Sequence, residues 1–218
     1  MERDGVTIEA VIWDFGGVFT TSPFEAFNRY EARRGLPVDF IRTVNATRPD
    51  ANAWARFERA EIDAAGFDAA FLAESAALGH AVRGADVLPL LAGEVRLAMV
   101  EALRICKRRF KVGCITNNVA SGAEGVSPTV AIMALFDAVI ESSKAGLRKP
   151  DPRIYRMMCE ALDVAPGACV YVDDLGINCK PAAAMGMTAI KFVSERQVLA
   201  DLERATGLTF PRLAEAVA

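Results

Sequence analysis

The chain has 218 residues, 52% of them hydrophobic and 24% charged, with 25 basic and 28 acidic side chains and a formal net charge of −3. That length suits one domain, or one domain carrying a sizeable insertion, around a substantial apolar core. The near-even charge balance gives no electrostatic ground for nucleic acid or an anionic membrane as partner, and no run of about 18 apolar residues is present to span a bilayer.

The opening Met1-Glu2-Arg3-Asp4 lacks a signal-peptide core, so a cytoplasmic location is expected. The five cysteines (106, 114, 159, 169 and 179) are odd in number and form no Cys-x-x-Cys pair. They read as reduced, mostly buried thiols.

The first element in the chain is the apolar run Ala10-Val11-Ile12-Trp13, which ends in Asp14-Phe15-Gly16-Gly17. It predicts a buried strand at about 9–13 that stops at a carboxylate and turns sharply. Further strands are predicted at 112–115, 138–141, 169–173 and 188–192. None shows period-2 alternation, as expected of strands covered on both faces. Between and after them the apolar spacing predicts helices at 93–109, 151–162 (with Asp151 as N-cap and Pro152 in the first turn), from near Asn178 to Gly186, and 194–206. Strand–helix alternation gives the expected fold class: α/β, a doubly wound parallel Rossmann-like sheet.

From about Thr20 to Ala92 there is no buried-strand pattern, only helical stretches at 24–34, 51–61 and 67–78. Some 70 residues exceed any ordinary loop. The expected organisation is therefore a core of 1–20 and 93–218, with a helical cap of 21–92 inserted directly after Asp14. Trp54, Phe57, Phe67 and Phe71 are spaced like the core of that cap.

Four short constellations fall at the carboxyl ends of predicted strands or just before a helix, where open α/β sheets bind ligands. They are Asp14; Thr116-Asn117-Asn118; Arg148-Lys149-Pro150-Asp151; and the acid pair Asp173-Asp174, followed by Asn178. Each alone has a bland explanation as a cap, turn or solvated charge. Together they supply a nucleophilic carboxylate, a hydroxyl, a cation and an acid pair able to share Mg²⁺, which is what a phosphoryl group needs.

In these residues the chain resembles the haloacid dehalogenase (HAD) superfamily, whose four motifs appear here in order as Asp14, Thr116, Lys149 and Asp173 with Asp174. The string from Arg148 to Tyr155, with Asp173-Asp174-x-x-x-Asn178, is most similar to the branch holding the phosphatase domain of soluble epoxide hydrolase and related bacterial sugar-phosphate phosphatases. The resemblance implies a Mg²⁺-dependent phosphatase that forms an aspartyl-phosphate on Asp14. It implies metal ligation by Asp14, the Gly16 carbonyl and Asp174, with Asp173 ligating or bracing Lys149. Thr116, Asn117 and Lys149 would hold the phosphoryl group of a small phosphorylated metabolite. No nucleic-acid or membrane partner is expected from the charge balance, and the chain is expected to be a monomer or homodimer.

Gly16 departs from the pattern, because typical phosphatases of the family place a general acid–base Asp there. Three readings follow. The substrate carries a good leaving group, or water or a cap residue (with Thr20, Thr21, Glu25 and His80 as candidates) substitutes, or the protein is a catalytically impaired phospholigand binder. A 2-haloacid dehalogenase-like hydrolase, attacking carbon through Asp14, is the remaining alternative.

Overall fold

The computed structural model describes residues 7–118 and 128–212. Five strands form one parallel sheet: β1 (Ala10–Trp13), β2 (Lys111–Thr116), β3 (Ala138–Glu141), β4 (Cys169–Asp173) and β5 (Thr188–Lys191). Their spatial order is β3-β2-β1-β4-β5, which puts β1 at the centre. The strands lie at the five predicted places.

Alternation along β1 divides the core. Val11 and Trp13 join the apolar layer of Val112, Cys114, Val170 and Val172, covered by Met99 and Leu103 of one helix and Val198 and Leu202 of another. Ala10 and Ile12 face the opposite layer, with Tyr171, Ile154, Met158 and Leu162. At Gly113 a Cβ would sit 2.4 Å from Met158 Sδ, so β2 needs glycine there for the covering helix to approach.

In chain order the helices are α1 (Phe24–Arg34), α2 (Phe40–Ala46), α3 (Ala53–Glu58), α4 (Ala64–Ala77), α5 (Gly84–Val87), α6 (Leu97–Lys107), α7 (Pro128–Met133), α8 (Ser142–Ala145), α9 (Pro152–Leu162), α10 (Gly176–Ala184) and α11 (Glu195–Thr206). Asp151 caps α9 through its side chain, as predicted, and Ser194 caps α11 in the same way. The stretch 51–61 shortens to α3, capped by Asn52 and ended by a left-handed Ala60 (φ 56). The helix predicted from 93 begins only at Leu97. Residues 94–96 instead pair with 19–21, through Thr21 N–H to the Glu94 carbonyl and Arg96 N–H to the Phe19 carbonyl, each 2.8 Å. The two strands of chain that leave and re-enter the sheet layer are thus stitched side by side, a few residues beyond Asp14.

Helix α2 lacks a clear sequence signal because its start depends on a distant side chain. Buried Glu31 of α1 accepts the Asp39 and Ile41 N–H groups, each at 2.9 Å. Residues 24–91 carry an apolar cluster of their own, including Phe27, Phe40, Ile41, Phe57, Phe67 and Phe71. Phe57 stacks on Phe67 at 4.8 Å and Trp54 meets Phe67 edge-on at 5.0 Å. Among the described residues no helix is long and apolar enough to cross a membrane.

Candidate active site

The sheet register assembles the site. Trp13 is paired with Cys114 on one side and Val172 on the other, so Asp14 stands level with Ile115 and Asp173, with Thr116 one residue beyond. The Asp14 N–H donates to the Val172 carbonyl at 2.8 Å before the chain turns. Asp14 and Thr116 are 7% and 6% exposed, Lys149 1% and Asp173 0%.

Lys149 links the carboxylates. Its Nζ lies 2.7 Å from Asp14 Oδ1 and 2.8 Å from Asp173 Oδ2. Burial by itself would drive the ammonium to lose its proton, but Asp14 and Asp173 reverse this and hold its pKa above the ordinary lysine value. The Lys149 main chain is fixed by Asn117, whose Oδ1 accepts its N–H at 2.8 Å and whose Nδ2 donates to its carbonyl at 3.0 Å. The Lys149–Pro150 peptide is cis. Asn117, expected on the phosphoryl group, thus also holds the lysine loop through its carboxamide. Asn118 ties the same turn to the end of β3 through Ser142 and Glu141.

Asp14, Asp173 and Asp174 each bring one carboxylate oxygen within 4.8 Å of the others. Burial and the charge of Asp173 push Asp14 well above the usual carboxylate range, with Lys149 pulling it back. Burial and Asp173 raise Asp174 to about 6. Three carboxylates facing one ammonium leave the cluster short of positive charge, and oxygen-only donors suit a hard divalent cation.

Within the cluster the donors are unequally engaged. Asp173 receives Lys149 Nζ, the Tyr171 hydroxyl (2.6 Å), the Leu175 N–H (2.8 Å) and Asn178 Nδ2 (3.1 and 3.2 Å to its two oxygens). These contacts fill the roughly four lone-pair sites of a carboxylate. Asp14 accepts Lys149 and the Phe15 N–H, both on Oδ1, which leaves Oδ2 without a hydrogen bond among the described residues. Asp14 and Asp174 are thus the side chains with oxygens free for a cation.

The adjacent glycines differ in kind. Gly17 has φ +76, and a Cβ there would lie 2.1 Å from Asp174 Oδ2. No atom lies within 4 Å of a Cβ built on Gly16. The tight approach belongs to Gly17, while Gly16 leaves room for a side chain.

The candidate substitute acids each make a contact of their own. Thr21 Oγ1 accepts the Glu94 N–H, exposed Glu25 faces Arg29 at 3.8 Å, and His80 meets the Phe40 ring edge-on at 5.2 Å. The Thr20 backbone carbonyl accepts Arg96 Nε at 3.2 Å. Tyr171 and Ser142 were not singled out from sequence. Tyr171 sits in an apolar strand run, and as the residue two before Asp173 on β4 it shares that residue's face and donates its hydroxyl to it.

The haloacid dehalogenase-like hydrolase family matches residues 8–186. The chain is 34% identical over 114 residues to mouse bifunctional epoxide hydrolase 2, covering 50% of this chain and 21% of that protein. It is 37% identical over 97 residues to phosphatase MT3486 of Mycobacterium tuberculosis, covering 44% and 43%. The chain thus spans about a fifth of the length of the mouse relative and under half of the bacterial one. A solved HAD family enzyme of Bacteroides thetaiotaomicron, in complex with magnesium and inorganic phosphate, shares the fold with a TM-score of 0.59 at 18% identity, covering 84% of this chain and 93% of that one. The sheet order, the site at its carboxyl edge and the family match agree: the chain belongs to the haloacid dehalogenase-like hydrolases.

Proposed function

We propose that this hydrolase is a Mg²⁺-dependent phosphatase acting on a small phosphomonoester through Asp14. The observation that carries the reading is the buried Asp14–Lys149–Asp173 triad beside Asp174, three acids against one ammonium that a divalent cation would balance. Asp14 Oδ2, free of hydrogen bonds among the described residues, attacks phosphorus, and the ester P–O bond breaks. Water then attacks the phosphorus of the aspartyl-phosphate, releasing inorganic phosphate and restoring the carboxylate. Mg²⁺, held by Asp14, Asp174 and the Gly16 carbonyl, would neutralise charge on the phosphoryl oxygens. Lys149 balances Asp14 and the phosphoryl group, Thr116 holds a phosphoryl oxygen, Asp173 braces Lys149, and Asn117 acts through the lysine main chain.

The helices of 24–91 serve as a cap over this edge, carried on the paired segments 19–21 and 94–96. With glycine at 16, the alkoxide takes its proton from water, which favours substrates with good leaving groups such as sugar 1-phosphates and acyl phosphates. A dehalogenase would leave Asp174, packed on Gly17, without a task. The test is phosphate release from p-nitrophenyl phosphate and a sugar-phosphate panel, with and without Mg²⁺. Mg²⁺-dependent turnover that Asp14→Asn abolishes is the expected result. Chloride release from a 2-haloacid that persists in EDTA, without phosphate release, would overturn the reading.

A further inference from the structure

Glu58, the last residue of α3, is an acid that the reaction above does not use. Its side chain is 8% exposed, and burial raises its pKa against the opposing pull of Arg148. Oε2 accepts Arg148 Nε at 2.6 Å and Oε1 accepts Trp54 Nε1 at 2.9 Å. Arg148 Nη1 donates in addition to the Pro49 carbonyl at 2.9 Å. Two stretches of chain 90 residues apart are therefore locked by one ion pair. Beside the lock lies a cleft of about 610 Å³ lined by Asp50, Arg59, Leu147, Arg148 and Pro150.

A buried ion pair adds little net stability, because desolvation offsets the attraction, and its best-attested use is to specify geometry. The geometry at stake is that of the next residue. Arg148 precedes Lys149, whose main chain is gripped by Asn117 and whose ammonium spans Asp14 and Asp173. We propose that Glu58 is a positioning residue. Through Arg148 it sets the Lys149 main chain, so that the ammonium stands in register with Asp14 when the helical insertion is seated on the sheet edge. The kinetic consequence rests on the phosphatase reading; the structural one does not.

The test uses Glu58→Gln, Arg148→Ala, Arg148→Lys and the Glu58→Gln/Arg148→Ala pair in the full chain. Kinetics with p-nitrophenyl phosphate and Mg²⁺ are combined with amide hydrogen exchange. Displacement of a reacting group by around 1 Å costs up to about 100-fold, so each of the first two variants should lower kcat roughly 10–100-fold with KM changed less than about threefold. The pair should lose no more than the worse single variant, and Arg148→Lys, which keeps the charge without the fork, should recover part of the loss. The Lys149 amide should exchange faster while β1 and β4 amides stay protected. Unchanged kcat in both single variants, or losses that multiply in the pair, would overturn the proposal. So would an unchanged Lys149 amide, a readout that holds even if the wild type shows no turnover and the phosphatase reading fails.

Discussion

Replacing Lys149 by Met tests the electrostatics of the site without any assumption about substrate. The side chain is 1% exposed and of nearly the right length, so the change removes charge more than volume. It leaves Asp14 and the wholly buried Asp173 facing each other, with Asp174 oxygens in the same 4.8 Å group. Two unit charges at the outer limit of that group repel by roughly 3–4 kcal/mol at an effective dielectric of about 20. Breaking a buried ion pair by removing one partner costs about 3–5 kcal/mol. The two figures describe the same loss, so the expected destabilisation at pH 7.5 is about 3–5 kcal/mol, or roughly 6–20 °C in Tm for a chain of this size.

The pH dependence has a definite sign. Asp14 already sits above the usual carboxylate range, and loss of Lys149 raises it further. A folded-state acid pKa above the unfolded value means the folded state binds more protons between the two, so stability rises as pH falls through that window. The deficit of Lys149→Met relative to wild type should therefore shrink on acidification from pH 7.5 to 5.5, and it should shrink at pH 7.5 when Mg²⁺ is added. Urea unfolding followed by circular dichroism measures both. A deficit below about 1 kcal/mol, or one that widens on acidification, would refute the argument.

Three further outcomes follow from the same geometry. Asp174, raised to about 6, must ionise to take a cation, so apparent Mg²⁺ affinity measured by calorimetry should fall roughly tenfold from pH 7 to pH 5; a flat profile would remove Asp174 from the ligand set. Gly17→Ala places a Cβ 2.1 Å from Asp174 Oδ2 at φ +76, and should cost roughly 1–3 kcal/mol of stability while abolishing the thermal shift given by Mg²⁺. A Cβ at Gly16 meets no atom within 4 Å, so Gly16→Asp should fold with Tm close to wild type. Its kcat should rise more for a simple alkyl phosphate than for p-nitrophenyl phosphate, because only the poorer leaving group needs an acid; equal responses would mean that another group already supplies the proton.

The sheet and the strand-end residues were legible because they depend on local pattern. An apolar run such as Ala10–Trp13 ending in Asp14 states both a buried strand and a ligand-facing end, and parallel pairing then brings Asp14 and Asp173 level. The glycine pair was read correctly as a turn, but the sequence does not say that Gly17 rather than Gly16 touches Asp174, which depends on packing between β1 and the end of β4. Asn117 was expected to face the phosphoryl group, and its engagement with Lys149 arises from a contact 32 residues away. The start of α6 at Leu97 was missed because helical periodicity extends through 93–96, while backbone pairing with 19–21 overrides it. Helix α2 escaped notice for a like reason, its first turn being capped by Glu31 from the preceding helix. Glu58 carried no signal at all, since its partner lies 90 residues along the chain.

The central claim is that Asp14 accepts a phosphoryl group. Rapid acid quench of the enzyme with Mg²⁺ and a turned-over phosphomonoester, followed by peptide mass spectrometry, measures it directly. The account predicts that the peptide containing Asp14 gains the mass of one phosphoryl group, transiently and only with Mg²⁺, and that Asp14→Asn shows neither the adduct nor turnover. A phosphoryl adduct on another residue, or undiminished phosphate release by Asp14→Asn, would contradict it.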